Sequence, residues 1–223
     1  MISVITIDGP AGVGKGTLAK QLARHYKFHY LDSGAVYRAL ANLVLEQGLD
    51  STDITAIEQA ISHLKLTFPS GSNFEAHSAG RNIDAQLRSE ECSSMASKIA
   101  AYPSVRMELL ALQRDFQTSP GLVADGRDLG TVVFPAAEVK IFLDASPKER
   151  AERRHKQLIG QGISASFDHL LESICARDER DRTRSTSPLV AASDALVVDS
   201  TSLSIEAVVD LTVDYVNKQL NYV

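Results

Sequence analysis

Five short apolar runs recur along the chain, each closed by an aspartate and then a small residue: VITIDG at 4–9, HYLDS at 29–33, LVADG at 122–126, IFLDA at 141–145 and LVVDS at 196–200. None alternates apolar with polar positions, so each reads as a strand buried on both faces, as parallel strands are. Helical stretches separate most of them, as parallel crossovers require. Helices are predicted over Lys15–Tyr26, 33–47, 89–100, 104–116, 147–161 and 204–220. In the last, Ile205, Val208, Val209, Thr212, Val213 and Val216 fall at helical spacing and form one core-facing stripe. The predicted fold class is α/β, a five-stranded parallel sheet flanked by helices.

Between about 64 and 87 the pattern changes. Residues 64–68 read as a strand, 69–73 as a turn, and 74–77 and 81–87 as further short strands, together a small antiparallel insertion in the parallel core. There is no internal repeat. With 223 residues the whole chain, 1–223, is read as one domain carrying that insertion.

Composition narrows the function classes. Hydrophobic residues are 44% and charged residues 23%, which excludes fibrous and wholly disordered readings. Lys and Arg number 23 against 28 Asp and Glu, a net charge of −5, which argues against a general nucleic-acid coat. Cys92 and Cys175 lie far apart with no CxxC partner, so neither a zinc site nor a disulfide framework is expected. No run approaches the roughly 20 apolar residues of a membrane span. The expectation is a soluble cytoplasmic protein without a nucleic-acid or membrane partner.

The five aspartates share one position, the carboxyl end of a strand, beyond which open α/β sheets bind ligands. Turn chemistry and helix capping suffice for Asp144 and Asp199. Asp8, Asp32 and Asp125 are expected to point into the ligand region.

Gly9-Pro10-Ala11-Gly12-Val13-Gly14-Lys15-Gly16-Thr17 follows the first strand and opens the first helix with the spacing of a P-loop. Glycines let successive N–H groups curl around phosphate oxygens, the helix N-terminus adds its dipole, and Lys15 adds a full charge. A nucleoside triphosphate site follows. Gly16 stands where the general motif has Ser or Thr, and the hydroxyl arrives one residue later. Thr17 is therefore the candidate magnesium ligand, with water and the nucleotide expected to hold much of the ion.

Three further clusters bear on the acceptor. Ser33 and Arg38, at the start of the second helix, can bind a second anion. Asp125 can face a metal's water shell or an incoming nucleophile, Arg127 can clamp a phosphate, and Asp128 can accept from an amino group. The run 177–184, RDERDRTR, holds four arginines in eight residues. Alternating charge of this kind marks either a solvated helix face or a lid that swings forked cations over phosphates. Arg150, Arg153 and Arg154 on the preceding helix suit the same purpose.

ITIDGPAGVGKGT, LDSGAVYR, DGRDLGTVVFP, KIFLDAS and RDERDRTR, in this order, resemble the bacterial cytidylate kinases within the nucleoside monophosphate kinase family, over essentially the whole chain. The resemblance implies a P-loop kinase fold with a monophosphate-binding insert near 64–87 and an Arg-rich lid near 150–190. It implies that Gly9 through Thr17 hold the ATP phosphates, with Lys15 bridging towards the transferred group. Ser33, Arg38, Arg127 and Arg184 would bind the monophosphate, while Ser97, Arg106 and Asp128 would read cytosine. Arg177 with Asp181 would reach the sugar, and Lys15, Arg127, Arg177 and Arg184 would be the catalytic cations. ATP, Mg²⁺ and CMP or dCMP are the implied ligands, and a monomer the implied state. The rivals are a P-loop kinase acting on UMP, AMP or a small alcohol, and a nucleotide-dependent switch. The latter would want an Asn-Lys-x-Asp guanine reader, whereas the Asn217-Lys218 pair is followed by Leu220 within the last predicted helix.

Overall fold

The computed structural model describes residues 2–69, 74–78, 80–160 and 162–221. The chain runs β1 (Ser3–Asp8), α1 (Lys15–Tyr26), β2 (His29–Asp32), α2 (Ser33–Glu46) and α3 (Ile54–Ile61). A short ribbon of β3 (His77–Ser78) and β4 (Arg81–Asn82) leads into α4 (Asp84–Leu87), α5 (Glu90–Ile99) and α6 (Pro103–Arg114). There follow β5 (Gly121–Gly126), a π-helical turn at Leu129–Val133, β6 (Val139–Asp144), α7 (Pro147–Gly160), α8 (Phe167–Thr183), β7 (Leu196–Asp199) and α9 (Ile205–Leu220).

The five apolar runs are the five strands of one parallel sheet, in the order β2-β5-β1-β6-β7. β1, which feeds the glycine loop, lies at the centre and is buried from Val4 onwards, and β5 beside it is buried throughout. The continuous apolar pattern follows from cover on both faces. At the edge the pattern misleads, since Val197 in β7 is 60% exposed. Register aligns Asp32 with Asp125 and Asp144 with Asp199, so these carboxylates emerge along one rim of the sheet.

The predicted helices are present with ends shifted by a residue or two, and Gln161, the predicted end of one, lies outside the described residues. Besides the single turn α4, two helices were not anticipated. α3 is short and starts from Asp53, whose carboxylate accepts the Ala56 N–H at 3.0 Å. α8 buries Asp178 and Asp181 instead of an apolar stripe, so apolar periodicity does not reveal it.

The insertion is antiparallel, as predicted, but smaller. Residues 64–68 contribute a single bridge, Thr67 to His77, and most of the predicted 69–73 turn lies outside the described residues, as does Ala79. The predicted strand at 81–87 stops at Asn82, whose side-chain oxygen accepts the Asp84 N–H at 2.9 Å and turns the chain into α4. Among the described residues no helix is long and apolar enough to cross a membrane.

Candidate active site

The glycine loop is shaped by its neighbours. Gly9 has φ of 149°, and a Cβ there would lie 1.9 Å from the Leu143 carbonyl oxygen in β6, so the strand admits only glycine. Gly14 caps α1 with φ of 102°, and its carbonyl accepts the N–H groups of Thr17 and Leu18 at 3.1 Å. The first turn of a helix leaves N–H groups without intrahelical partners, and here that turn begins at Lys15. Lys15 folds back and donates from Nζ to the Pro10 carbonyl at 2.7 Å. Burial pushes its pKa well below the ordinary lysine value, and the nearby Arg127 and Arg177 push the same way. Thr17 is exposed and lines a 320 Å³ cavity with Gly14, Arg153, Ser200 and Leu203.

Near Lys15 the structure gathers arginines, most of them paired with a carboxylate. Asp128 lies between Arg106, to which it is hydrogen-bonded, and Arg184 at 3.7 Å. The Arg106 guanidinium lies 5.5 Å from the centre of the Tyr37 ring. Arg127 donates to Asp181 at 3.0 Å, and Arg38 to Asp32 at 2.7 Å. Burial lowers the Arg177 pKa to about 10, with Arg127 and Arg38 contributing, while Asp181 opposes them. Cations crowded into a buried space repel one another, and a polyanion relieves that repulsion.

Among the described residues, five buried side-chain atoms without a hydrogen-bond partner make the same point. They are Arg38 Nε, Ser97 Oγ, Arg106 Nε, Arg177 Nε and Arg184 Nη2. Buried polar atoms are seldom left unpaired, so each asks for an explanation. All five belong to residues singled out in the sequence as acceptor-binding.

Several expectations change. Asp8 does not face the cleft: its two oxygens accept the N–H groups of Leu129 and Gly130 at 2.9 and 2.8 Å. Burial raises its pKa to about 6. Asp32 caps α2 through the Ala35 N–H at 2.8 Å as well as holding Arg38. The Ser33 hydroxyl is engaged, donating to Gln113 Oε1 at 2.7 Å. Asp125 accepts from Tyr30 at 2.7 Å. Asp144 and Asp199 perform turn chemistry as expected, each accepting a nearby N–H at 2.9 Å.

In the charged run, Arg177 and Asp181 turn inward from α8 and Arg184 does so from the cap residue just past its end. Arg180 and Arg182 are exposed, and Arg182 reaches Asp144 at 3.5 Å. Of the α7 arginines, Arg150 is buried, Arg153 is tied to the Ser200 carbonyl at 2.7 Å, and Arg154 is exposed beside Gln157 at 2.9 Å. Arg150 and Arg153 are therefore each held against backbone carbonyls of neighbouring segments. Gln113 and Tyr37 went unassigned from sequence. Tyr37 lies inside the LDSGAVYR motif, whereas nothing local marks Gln113.

A glycine cradle on the central strand of a parallel sheet, with a buried lysine at its mouth and inward-turned arginines nearby, defines a P-loop kinase. The family model for cytidylate kinase matches residues 5–218. The chain is 51% identical to the cytidylate kinase of Salmonella paratyphi A over 218 residues, covering 97% of this chain and 96% of that one. The Citrobacter koseri cytidylate kinase is also 51% identical, over the same shares. A crystal structure of an uncharacterized protein from Eubacterium ventriosum shares the fold, with a TM-score of 0.52 at 12% identity over 96% of this chain and 98% of that one. The chain belongs to the cytidylate kinase family, and it is an ATP-dependent kinase.

Proposed function

We infer that the protein transfers the γ-phosphoryl group of ATP to CMP or dCMP, giving ADP and CDP or dCDP. The observation that carries this reading is the set of five buried side-chain atoms without a hydrogen-bond partner, on Arg38, Ser97, Arg106, Arg177 and Arg184, in a protein whose P-loop accounts for the donor. An acceptor that is itself a phosphate, joined to a hydrogen-bonding base, matches such a set. An alcohol acceptor would not need so many cations.

Gly9 through Thr17 hold the ATP phosphates, with Lys15 moving from the Pro10 carbonyl to the transferred group. Ser33, Arg38, Arg127 and Arg184 take the monophosphate, while Arg177 and Asp181 reach the sugar. Ser97, Arg106 and Asp128 read cytosine, whose exocyclic amino group donates where uracil presents a carbonyl. A carboxylate facing that carbonyl would lose a hydrogen bond and repel it.

An oxygen of the CMP phosphate attacks the γ-phosphorus as the bond to the ADP oxygen breaks. That acceptor oxygen is already ionised near neutral pH, so no general base is needed. Rate comes from alignment and from cations where charge gathers, namely Lys15, Arg127, Arg177 and Arg184.

Among the described residues no three His, Cys, Asp or Glu side chains converge as a metal site. The exposed Thr17 hydroxyl is a hard oxygen donor of the type Mg²⁺ takes, and the ion fits as one carried mainly by the ATP phosphates and water. In this reading the chain is a single kinase domain whose 64–87 segment serves the monophosphate and whose α7–α8 region is the lid. It works as a monomer in the cytoplasm.

The test is ADP formation from ATP and Mg²⁺ with CMP, dCMP, UMP, AMP and GMP compared as acceptors. Strong turnover with CMP and dCMP and weak turnover with the purines is expected. A different preferred acceptor would discard the roles of Ser97, Arg106 and Asp128.

A further inference from the structure

Arg150 is 1% exposed, and its guanidinium reaches three parts of the molecule. Nε donates to the Ala145 carbonyl just beyond β6 at 3.0 Å. Nη1 donates to the Ala11 carbonyl inside the glycine cradle at 3.0 Å and to Asp178 Oδ1 on α8 at 3.1 Å. Nη2 completes the fork on Asp178 Oδ2. Asp178 is followed about one helical turn later by Asp181, which holds Arg127 at 3.0 Å. An unbroken path therefore joins the donor cradle to an acceptor-side arginine: the Ala11 carbonyl, Arg150, Asp178, one turn of α8, Asp181, Arg127. Arg177, with its unpartnered Nε, rides on that same turn.

A pair that served only to join α7 to α8 would not need charge, because a well-packed apolar pair commonly stabilises a buried contact as well or better. Nor would it need to reach the cradle backbone. The bidentate fork fixes orientation as well as distance, which is what alignment of two substrates demands.

We propose that Arg150 and Asp178 are a positioning pair that keeps α8 in register with the phosphate cradle, so that Arg177 and Arg127 meet the transferred group in line. Neither residue touches substrate. The inference rests on the kinase reading above, with ATP at the cradle and CMP at the arginines.

The test compares Asp178→Asn with the double variant Arg150→Met/Asp178→Leu, measuring melting temperature, kcat, both KM values and ATP hydrolysis without acceptor. A misplacement of about 1 Å costs roughly 100-fold in rate, so Asp178→Asn should lower kcat about tenfold or more while each KM moves less than about threefold. Acceptor-independent hydrolysis should rise relative to transfer. The double variant should regain the melting temperature but not kcat. Recovery of both together, or an unchanged kcat in Asp178→Asn, would reduce the pair to a structural contact and overturn the proposal. If the double variant fails to fold, the kcat of Asp178→Asn below its melting temperature decides. If Asp178→Asn is itself too unstable, Arg150→Lys, which keeps the charge but loses the fork, carries the same expectation. A wild-type protein inactive with CMP would defeat the CMP-acceptor reading instead, and that result is seen before any variant is assayed.

Discussion

Gly130 and Asp8, 122 residues apart in the chain, are joined by a 2.8 Å hydrogen bond from the glycine N–H to the aspartate carboxylate. Its other oxygen accepts the Leu129 N–H at 2.9 Å. Asp8 is the last residue of β1 and precedes the cradle, while Leu129 opens the π-helical turn that follows Asp128. One buried side chain thus sets the donor loop against the acceptor turn. Asp8→Asn keeps the shape but turns an amide group towards one of the two N–H donors. Leaving that donor unpaired costs about 1–3 kcal/mol. Removal of the charge that burial disfavours offsets that cost in overall stability, so the readout is substrate affinity: KM for CMP should rise more than KM for ATP because the freed turn carries Asp128. Equal effects on both KM values would mean the anchor serves the fold alone.

What the sequence revealed depended on whether the signal was local. The five strands were legible because burial on both faces writes an unbroken apolar run, and the cradle because its glycines, lysine and helix start are contiguous. The acceptor arginines came from short charged motifs read through a family resemblance. Asp181 is named only through the resemblance, and Asp178 is hidden because its partner, Arg150, lies 28 residues away, so that in one dimension it looks like a member of a solvated face. Gln113 is a lone polar residue in α6 until folding brings Ser33 to it across 80 residues. The exposure of Val197 follows from strand order, which apolar runs do not encode.

Two cradle glycines should respond oppositely to one methyl group. At Gly9 the new Cβ would sit 1.9 Å from a backbone oxygen of β6, on a φ of 149° that L residues avoid. Gly9→Ala should cost more than about 4 kcal/mol and yield little folded protein. At Gly16, in the first turn of α1, the nearest atom is the Tyr30 hydroxyl at 3.7 Å, an ordinary contact. Gly16→Ala should gain about 0.4–1 kcal/mol by restricting the unfolded chain. Thermal melts of the two variants, without nucleotide, check both. A folded Gly9→Ala of native stability would mean β6 yields to the loop.

Lys15 illustrates stability given up for function. It is buried, and burial together with Arg127 and Arg177 disfavours its charge. Lys15→Met retains the length and removes that charge. Without nucleotide its melting temperature should hold or rise, at about 2–4 °C per kcal/mol for a chain of this size. Turnover should fall by at least about 100- to 1000-fold, because a positioned cation at the transferred group is lost. A clear drop in melting temperature would show that the bond to the Pro10 carbonyl outweighs the cost of the buried charge.

Asp125 provides a test read through pH. It is buried opposite Asp32 on the neighbouring strand and bonded to Tyr30, with Lys15 and Arg38 also close. Burial first, and the Asp32 charge second, raise its pKa from an ordinary 3.8 to about 7, against the opposing pull of Lys15, Tyr30 and Arg38. The folded state therefore holds a proton that the unfolded chain releases near pH 4, and folding becomes less favourable as pH climbs from about 4 to 7. Asp125→Asn is neutral throughout and still accepts from Tyr30, so it escapes that loss. Its stability relative to wild type should be lowest near pH 4, rise through the window and level off above pH 7. The change should be on the order of a few kcal/mol, since each tenfold difference in proton affinity between the folded and unfolded chain corresponds to about 1.4 kcal/mol. Asp8 titrates in both proteins and cancels from the difference. Urea denaturation of the two proteins at pH 5 and pH 8 measures the gap. A gap that does not widen at pH 8 would mean that Lys15 and Arg38 already neutralise Asp125 in the folded protein.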